Sequence, residues 1–364
     1  MLDAWLSPRL DEIRARGLWR QSRTLASLPG GRIRVEGLDA LNLASNDYLG
    51  LAAEGGAVMG GGAGASPLVT GHSDRHQALC DRLGDWLGFE SVRLFSSGFA
   101  ANVGVLSLFG DQTIYHDRLN HASLIDGSRH NGGRFRRFPH LDYGTLKGWL
   151  SEPALVVSDG VFSMDGDTAD LQALKALGQP LLVDDAHGIG VLGKSGAGLC
   201  EQQGVKPDIL VGTFGKALGA GGAFVAGSRA LGQAIDNLCR EYIYSTALPL
   251  GTVAQVQANL DRLACEPWRR EQVLALATWF QAQCRERALP VLPSATPIQP
   301  LLCQDAGAAL ALSRALLDKG FYCPAIRPPT VPQARLRITL NSNLDQAQLA
   351  PLLDALEAHR DCLA

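Results

Sequence analysis

Cysteine motifs, basic runs and long apolar runs are all missing from this 364-residue sequence. Its eight cysteines are scattered and none belongs to a Cys-x-x-Cys motif, which argues against zinc sites and disulfide frameworks. The formal net charge is −3, and no basic run of the kind that nucleic acid requires is present. No apolar run approaches the roughly 20 residues of a membrane span, and residues 1–8 lack the basic start of a signal peptide. We therefore expect a soluble, cytoplasmic protein that uses no metal and binds neither nucleic acid nor membrane.

Length and composition indicate a large globular protein. A chain of 364 residues can bury a large core and form two domains. Hydrophobic residues make up 46% and charged residues 19%, which is ordinary for a globular protein. The glycine-rich segment 55–71 has no preceding strand, and Pro67 comes too early for a dinucleotide motif. We interpret this segment as a flexible loop.

The most informative feature is a lysine among small residues. Residues 209–211 form an apolar run that predicts a buried strand, and Lys216 follows it just before the small residues 217–222. Burial disfavours the ammonium form, so such a lysine can have a lowered pKa and act as a nucleophile or a base. The glycines would let a flat ligand approach the backbone closely. This combination favours a lysine that forms a Schiff base with a carbonyl cofactor.

Two other roles for Lys216 are considered: a phosphate-binding loop and a structural lysine. A phosphate-binding loop needs Gly-x-x-x-x-Gly-Lys-Ser/Thr, but Leu210 stands five positions before Gly215 and Ala217 replaces the hydroxyl residue. That motif is therefore excluded. A structural lysine at a tight turn is the other alternative, and only the rest of the chain can separate it from a cofactor lysine.

Predicted strands and helices alternate along the first two thirds of the chain. Helical segments of ten or more residues are expected between most of the strands. The alternation predicts a parallel α/β sheet with helices on both faces. The five predicted strands begin at Val92, Thr113, Leu155, Pro180 and Ile209.

Smaller units are predicted on either side of this sheet. An amphipathic helix over residues 3–23 and a strand at 32–36 precede it. Beyond about residue 255 the pattern changes to that of a small α+β unit. We therefore predict an N-terminal helix and strand arm (1–45), a large α/β domain (46–255) and a small C-terminal α+β domain (256–364).

Polar residues cluster where the predicted strands end, which is where ligands bind in parallel α/β sheets. One polar residue at a strand end is ordinary, but five such strand ends argue against a purely structural role for Lys216. The residues concerned are Ser97, Gly98, His121, Ser163, Asp184, His187, Thr213 and Lys216.

A lysine that holds a pyridine cofactor needs few other protein groups. A carboxylate keeps the ring nitrogen protonated so that the ring withdraws electrons, and Asp184 is the candidate. Helix capping is the alternative role for Asp184 and its neighbour Asp185. His121 could cover the face of the ring. Donors for the phosphate oxygens are available at Gly98, Phe99 and Thr213.

Six motifs follow one another along the chain: residues 45–51, 97–102, 117–124, 160–167, 182–193 and 213–219. Together they resemble the motifs of the α-oxoamine synthases, which are pyridoxal-phosphate (PLP) enzymes. The resemblance extends from about Arg20 to the C-terminal helix, which is nearly the whole chain. It implies a fold-type-I PLP-dependent transferase (aspartate aminotransferase-like), with a mainly parallel sheet and a smaller α+β C-terminal domain.

Within that family, residues 325–332 and 334–337 are similar to the branch that acts on L-alanine. The resemblance implies a condensation of L-alanine with a pimeloyl thioester, either pimeloyl-ACP or pimeloyl-CoA. Carbon dioxide and the free thiol carrier would be released, and the amino ketone product would enter biotin biosynthesis. The resemblance also implies a homodimer with active sites at the subunit interface.

The resemblance further implies roles in cofactor binding for residues in these motifs. Lys216 would form the Schiff base with pyridoxal phosphate and later move the Cα proton of the substrate. Asp184 would pair with the pyridine nitrogen, His121 would stack on the ring, and His187 would contact the phenolic oxygen. The other cofactor contacts would come from Ser163, Thr213, Gly98 and Phe99.

Substrate contacts are implied in the same way for Arg20, His121, Thr330 and Arg337. Arg337 would take the carboxylate of the amino acid. One departure from the family pattern lies in the loop between residues 51 and 71, which is shorter than usual. Pro67 stands there in place of a common arginine. This departure bears on acyl-carrier contacts and not on the cofactor chemistry.

Two other functions stay open. A sister enzyme such as glycine C-acetyltransferase would use glycine and a short acyl-CoA, although the Ile-Arg-Pro-Pro-Thr sequence at 326–330 argues against it. A non-catalytic PLP-binding regulator on the same fold would require a DNA-binding segment, and none flanks the predicted domain.

Overall fold

The computed structural model describes residues 11, 12, 14–17, 25–52, 62–130, 132 and 134–364. Arg20 and most of the predicted N-terminal helix lie outside the described residues. The glycine-rich segment is described from residue 62 onward and ends in a π-helical turn, Pro67–Gly71. None of the described helices combines the length and apolarity that crossing a membrane would require.

Strands and helices alternate along the described chain. The strands are β1 Leu25–Leu28, β2 Arg32–Val35, β3 Leu38–Asn42, β4 Ser91–Phe95, β5 Thr113–Asp117, β6 Arg134–Phe138, β7 Ala154–Asp159, β8 Leu181–Asp184, β9 Ile209–Thr213, β10 Ala223–Gly227, β11 Ile298–Leu302, β12 Phe321–Tyr322, β13 Ala325–Ile326 and β14 Arg335–Thr339. The α-helices are Asp74–Leu87, Gly98–Leu106, Ala122–His130, Tyr143–Trp149, Leu171–Lys175, Leu199–Gln203, Arg229–Leu238, Arg240–Ile243, Leu250–Cys265, Trp268–Glu286, Ala306–Asp318 and Gln346–Glu357.

A seven-stranded sheet in the order β4–β10–β9–β8–β7–β5–β6 forms the centre of the protein. Strands β5 to β9 pair in parallel. Within this sheet β10 is the strand that runs the other way, because it pairs antiparallel with both β4 and β9. The prediction of a mainly parallel α/β sheet is confirmed, and all five predicted strands are present. Strands β6 and β10 were not predicted.

Strands β8 and β9 at the centre of the sheet are mostly apolar, as expected for strands that are buried on both faces. In β8, Leu181 and Val183 belong to one buried cluster and Leu182 belongs to another. In β9, Leu210 belongs to the first cluster and Ile209 to the second. Successive side chains of a strand point to opposite faces, so the two clusters are core layers on the two sides of the sheet. Polar side chains therefore collect at the strand ends.

The expectation of helices of ten or more residues between the strands is wrong. The helix Gly98–Leu106 has nine residues, and the two helices that flank β8, Leu171–Lys175 and Leu199–Gln203, have five each. Glycines with positive φ interrupt the chain between β8 and the second of these helices, at positions 190, 193, 196 and 198. That conformation cannot continue a right-handed helix, so the segment forms turns instead.

Two smaller sheets complete the described fold, in the orders β1–β2–β3–β12 and β11–β14–β13. Strand β12 pairs in parallel with β3. The segments predicted as the N-terminal arm and the small C-terminal domain therefore share a sheet. The domain boundaries at residues 45 and 255 remain predictions. Strand β14 is buried along its whole length and carries Arg337.

His140 connects two loops that follow central strands. Its Nδ1 lies 2.8 Å from Asp117 Oδ1 at the end of β5, and its Nε2 lies 2.8 Å from Asp167 Oδ2 beyond β7. Burial opposes the charged imidazole, but the bonds to two carboxylates outweigh burial and raise the pKa of His140 to about 9. The ring is therefore protonated at neutral pH and pairs with both carboxylates.

We expect the free energy of unfolding to fall as His140 loses its proton, between pH 6.5 and about pH 9. The pKa is higher in the folded state, so the contribution is complete below the lower value and lost above the higher one. The side chain is 23% exposed, and we expect a contribution on the order of 2 kcal/mol. Urea unfolding at several pH values measures it. His140→Gln should flatten the dependence over this range, and an unchanged slope in that variant would contradict the assignment.

Candidate active site

One pocket at the carboxyl ends of the central strands brings together eight of the predicted site residues. They are Gly98, Phe99, His121, Ser163, Asp184, His187, Thr213 and Lys216. Its walls also contain Asn102, Ser123, Asp159 and Ala186, which were not predicted.

Lys216 lies in the loop that joins β9 to β10. The backbone N–H of Phe214 donates to the carbonyl of Gly222 at 2.9 Å and closes the base of this loop. Burial lowers the pKa of Lys216 to about 8, although the carboxylates of Asp184 and Asp159 oppose that effect. At pH 7 an amine with this pKa is unprotonated in roughly a tenth of the molecules, which is enough for a nucleophile or a base.

The two adjacent aspartates after β8 have different surroundings. Asp184 faces the pocket and accepts hydrogen bonds from the Asn102 side-chain amide at 2.6 Å and the Ala186 backbone N–H at 3.0 Å. Asp185 is fully buried outside the pocket lining and accepts from the Leu199 backbone N–H at 2.6 Å, where a helix begins. Asp185 therefore has the helix-capping role that was the alternative for both residues, whereas Asp184 does not.

His187 follows β8 and is held by a buried tyrosine. Its Nδ1 lies 2.6 Å from the hydroxyl of Tyr48, which is also 3.3 Å from Asn46 Oδ1. Burial and the nearby positive charges of Lys216 and Arg337 lower the pKa of His187 well below its usual value. His187 is therefore a neutral imidazole at the edge of the pocket.

His121 is fixed to the sheet through its backbone and to the helix Ala122–His130 through its ring. Its backbone N–H donates to Asp159 Oδ2 at 2.8 Å, and its Nδ1 lies 2.7 Å from Ser123 Oγ. Burial lowers the pKa of His121; Asp184 opposes this effect and Lys216 adds to it. Asp159 pairs in register with Asp184, and burial together with this second carboxylate raises the pKa of Asp159.

The start of the helix Gly98–Leu106 forms one part of the pocket wall. Ser97 Oγ accepts a backbone N–H of the first turn at 3.1 Å, while the N–H groups of Gly98 and Phe99 have no acceptor among the described residues. A Cβ added at Gly98 would meet only the side chain of Thr213, at 3.8 Å, so the approach to this backbone is open. Free N–H groups at a helix N-terminus suit a phosphate.

Arg337 approaches the pocket from β14. Its Nε donates to the carbonyl of Ser163, and its Nη1 donates to Asn46 Oδ1 at 3.1 Å and to Thr339 Oγ1 at 3.0 Å. The guanidinium is buried, and none of its partners in the described part of the chain is a carboxylate. A buried cation of this kind suits an incoming carboxylate. Neither Arg337 nor Thr330 is among the residues that line the pocket, and Thr330 is exposed in the turn after β13.

These groups fit pyridoxal phosphate. The free N–H groups at Gly98 and Phe99 suit its phosphate, and the Asp184 carboxylate suits a protonated ring nitrogen. The amine of Lys216 suits its aldehyde, and the neutral imidazole of His187 can donate to its phenolic oxygen. The residues predicted to hold the cofactor thus share one pocket with the chemistry that each role needs.

The site residues that were not predicted differ in how clearly the sequence around them indicated a role. Asn102 is the single polar side chain in the helix Gly98–Leu106, which was a usable signal. Asp159 ends a buried strand and could have been found by the rule applied to the other strand ends. Ser123 and Tyr48 gave no local signal, because serine is common in turns and tyrosine in partly buried positions.

Comparison of the sequence with known proteins gives matches over nearly its full length. The profile of aminotransferase class I and II matches residues 39–356. An 8-amino-7-oxononanoate synthase from Alkalilimnicola ehrlichii is 46% identical over 383 residues, covering 98% of this chain and 97% of that protein. One from Pseudomonas putida is 44% identical over 374 residues, covering 96% of each chain.

Solved structures share the fold. A serine palmitoyltransferase from S. paucimobilis with a bound PLP–myriocin aldimine matches with a TM-score of 0.88 at 26% identity, covering 99% of this chain and 97% of that one. The 8-amino-7-oxononanoate synthase from Francisella tularensis matches with a TM-score of 0.78 at 26% identity, covering 88% and 97%. The predicted fold type is confirmed, and pyridoxal phosphate is the cofactor. The chain belongs to the 8-amino-7-oxononanoate synthase family, within the class I and II aminotransferases.

Proposed function

We propose that this protein condenses L-alanine with a pimeloyl thioester to 8-amino-7-oxononanoate, releasing carbon dioxide and the free thiol carrier, as a step of biotin biosynthesis. The observation that carries the proposal is the convergence of the Lys216 amine, the Asp184 carboxylate and the imidazoles of His121 and His187 in one pocket. The names of relatives that are 44–46% identical over nearly the whole chain support the same reaction.

Bound pyridoxal phosphate supplies a ring that takes up the negative charge left when an amino acid loses its Cα proton. Lys216 holds the cofactor and, once released, accepts that proton, because its lowered pKa makes the free amine available. Asp184 keeps the ring nitrogen protonated. His121 covers the face of the ring, and His187 donates a hydrogen bond to the phenolic oxygen.

The phosphate is held around the start of the helix Gly98–Leu106. The free N–H groups of Gly98 and Phe99 donate to it, and Ser163, which also lines the pocket, makes a further contact with the cofactor. Thr213 donates its hydroxyl to the carbonyl of Gly222 at 3.0 Å in this structure. It would turn that hydrogen toward the cofactor on binding.

Arg337 takes the carboxylate of alanine. Its buried guanidinium is held by three neutral acceptors and meets no carboxylate among the described residues. Fixing the carboxylate restricts the orientation of the bonds at Cα before the proton moves. Thr330 and Arg20 contact the substrate as well. Thr330 is exposed and does not line the pocket of its own chain, and its contact would be made in the pocket of a second subunit.

The protein acts as a homodimer. Phe99 in the pocket wall is 48% exposed, and Leu68 and Val69 on the turn Pro67–Gly71 are 48% and 73% exposed. A second copy would cover such apolar side chains and exclude water from the site. Light scattering after size-exclusion chromatography should give twice the chain mass of 38.7 kDa. A fully active monomer would contradict this arrangement.

The function is tested by comparing two substrate pairs with the purified holoenzyme. We expect release of the free thiol carrier from L-alanine with pimeloyl-CoA or pimeloyl-ACP, together with carbon dioxide, at about tenfold or more the rate of thiol release with glycine and acetyl-CoA. The better of the two pimeloyl thioesters identifies the carrier. Preference for glycine and acetyl-CoA would make the protein a glycine C-acetyltransferase. Bound cofactor without release of the free thiol from either pair would indicate a non-catalytic PLP-binding regulator.

A further inference from the structure

A continuous chain of hydrogen bonds joins Asp184 to His121. The side-chain nitrogen of Asn102 donates to Asp184 Oδ2 at 2.6 Å and to Ser123 Oγ at 2.9 Å. Ser123 Oγ lies in turn 2.7 Å from Nδ1 of His121. The two middle residues are 1% and 0% exposed, so water does not compete for these bonds. We call this set the Asp184–His121 relay.

The direction of each bond follows from the groups that form it. An ionised carboxylate only accepts, so one hydrogen of the Asn102 amide points to Asp184 and the other points to Ser123. Flipping the amide would place its oxygen against the carboxylate. That oxygen, Asn102 Oδ1, is buried and has no partner within the described residues. Because Ser123 Oγ accepts from Asn102, its own hydrogen is available for Nδ1 of His121.

A second donor also faces the same ring atom. The backbone N–H of Ser123 points to Nδ1 of His121 at 3.3 Å. An N–H group can only donate, so Nδ1 carries no proton, and the proton of the neutral ring lies on Nε2. Two independent contacts thus give the same tautomer.

We propose that Asn102 and Ser123 are positioning residues that couple the Asp184 carboxylate to the His121 ring and hold that ring as the neutral tautomer protonated at Nε2. The inference depends on the proposed function only for the roles of the two terminal residues of the relay. These roles are those of Asp184 at the ring nitrogen of the cofactor and of His121 on the face of that ring. His121 then presents a hydrogen-bond donor to the pocket. It also resists protonation, because a proton on Nδ1 would face two donors.

Charged groups around His121 act on it together with the relay. The carboxylates of Asp184 and Asp126 favour its protonation, and Lys216 opposes it. Asp159 binds its backbone N–H. Removing the hydroxyl of Ser123 leaves these groups in place but takes away one of the two donors to Nδ1. Protonation of the ring should therefore become easier.

The chain offers a matched control for Ser123. Ser128 lies on the same helix, Ala122–His130, and is also buried. Its Oγ lies 2.7 Å from Nε2 of another histidine, His116, and neither residue lines the pocket. Ser123→Ala and Ser128→Ala therefore remove equivalent bonds from two histidines, of which one belongs to the relay.

The test uses nuclear magnetic resonance of histidine side chains in full-length protein without cofactor. The nitrogen shifts of His121 should show the tautomer protonated at Nε2. Ser123→Ala and Asn102→Ala should each raise its titration midpoint by about one pH unit, a tenfold change in the protonation equilibrium. Ser128→Ala should alter the signals of His116 and leave His121 unchanged.

Cofactor binding, followed by visible absorbance, provides a second measurement. Asn102→Ala should weaken it about tenfold, because Asp184 loses a buried hydrogen bond to its charge. Ser123→Ala should weaken cofactor binding by a smaller factor. A wild-type His121 protonated at Nδ1, or a Ser123→Ala variant with an unchanged His121 titration, would overturn the relay. If Asn102→Ala does not fold, the His121 titrations of Ser123→Ala and of its matched control, Ser128→Ala, test the relay. Neither measurement involves condensation, so failure to condense alanine with pimeloyl thioester would reject the proposed function alone.

Discussion

Replacing Lys216 by alanine should lower the rate of condensation by about 10⁴-fold or more, the largest effect expected of any single change in this chain. The side chain is proposed both to hold the cofactor and to accept the Cα proton, and no other amine lines the pocket among the described residues. Steady-state rates with L-alanine and pimeloyl-CoA measure the loss. The yellow absorbance of the holoenzyme, which borohydride should bleach in the wild type, should disappear from the variant.

Lys206 provides the control for this change. It is an exposed lysine whose Nζ lies 5.1 Å from the ring of Phe89, and it does not line the pocket. Lys206→Ala should keep both the rate and the yellow absorbance. Retention of the absorbance and of more than about a tenth of the rate by Lys216→Ala would remove this residue from the mechanism.

The second large effect is expected for Asp184→Asn, which should lower kcat about 10²- to 10³-fold and weaken cofactor binding. An amide of the same shape cannot keep the ring nitrogen protonated, and its NH2 group would face one of the two groups that now donate to Asp184, the Asn102 amide or the Ala186 backbone N–H. Removing one partner of a buried charge pair costs about 3–5 kcal/mol, roughly 10²- to 5 × 10³-fold, and we expect an effect in the lower part of that range. Initial rates and titration with pyridoxal phosphate measure the two losses separately.

Asp185→Asn is the matched control, since it is the same chemical change one position later. Asp185 lies outside the pocket lining, and its Oδ2 accepts the backbone N–H of Leu199 at 2.6 Å, which an amide oxygen can also accept. Burial raises the pKa of Asp185 to about 7, so a neutral side chain is already common there at neutral pH. We expect this variant to keep its absorbance and most of its rate. Equal losses in the two variants would mean that Asp184 acts through structure and not through its charge.

Residues whose chemistry contrasts with their surroundings could be predicted from the sequence. Lys216 was found because a charge among small residues after an apolar strand is unusual, and the ends of parallel strands then led to Asp184 and His121. Contacts between residues that are distant along the chain could not be predicted. Asn102 stands out as the polar residue of its helix, but its partners are 21 and 82 residues away along the chain, and nothing local indicates either of them.

The sequence analysis did not predict the strands β6 and β10 of the central sheet, and the physical reason differs between them. Strand β6 reads Arg-Phe-Arg-Arg-Phe and is mostly exposed at the edge of the sheet, so it lacks the apolar pattern of its neighbours. Strand β10 is short and apolar but follows a glycine-rich loop. It returns alongside β9, whereas a parallel α/β pattern leads one to expect a crossover through a helix.

The reversal of β10 also determines how Lys216 can move. Thr213 and Ala223 are partners in the ladder of β9 and β10, so both ends of the intervening nine-residue segment, 214–222, are attached to the sheet. A crossover through a helix would have placed a longer connection between the two strands. With the main chain anchored on both sides, we expect the Lys216 amine to reach and leave the proposed cofactor by rotation about its own side-chain bonds. Each turnover should then start from the same backbone position, without the slower rearrangement of a loop.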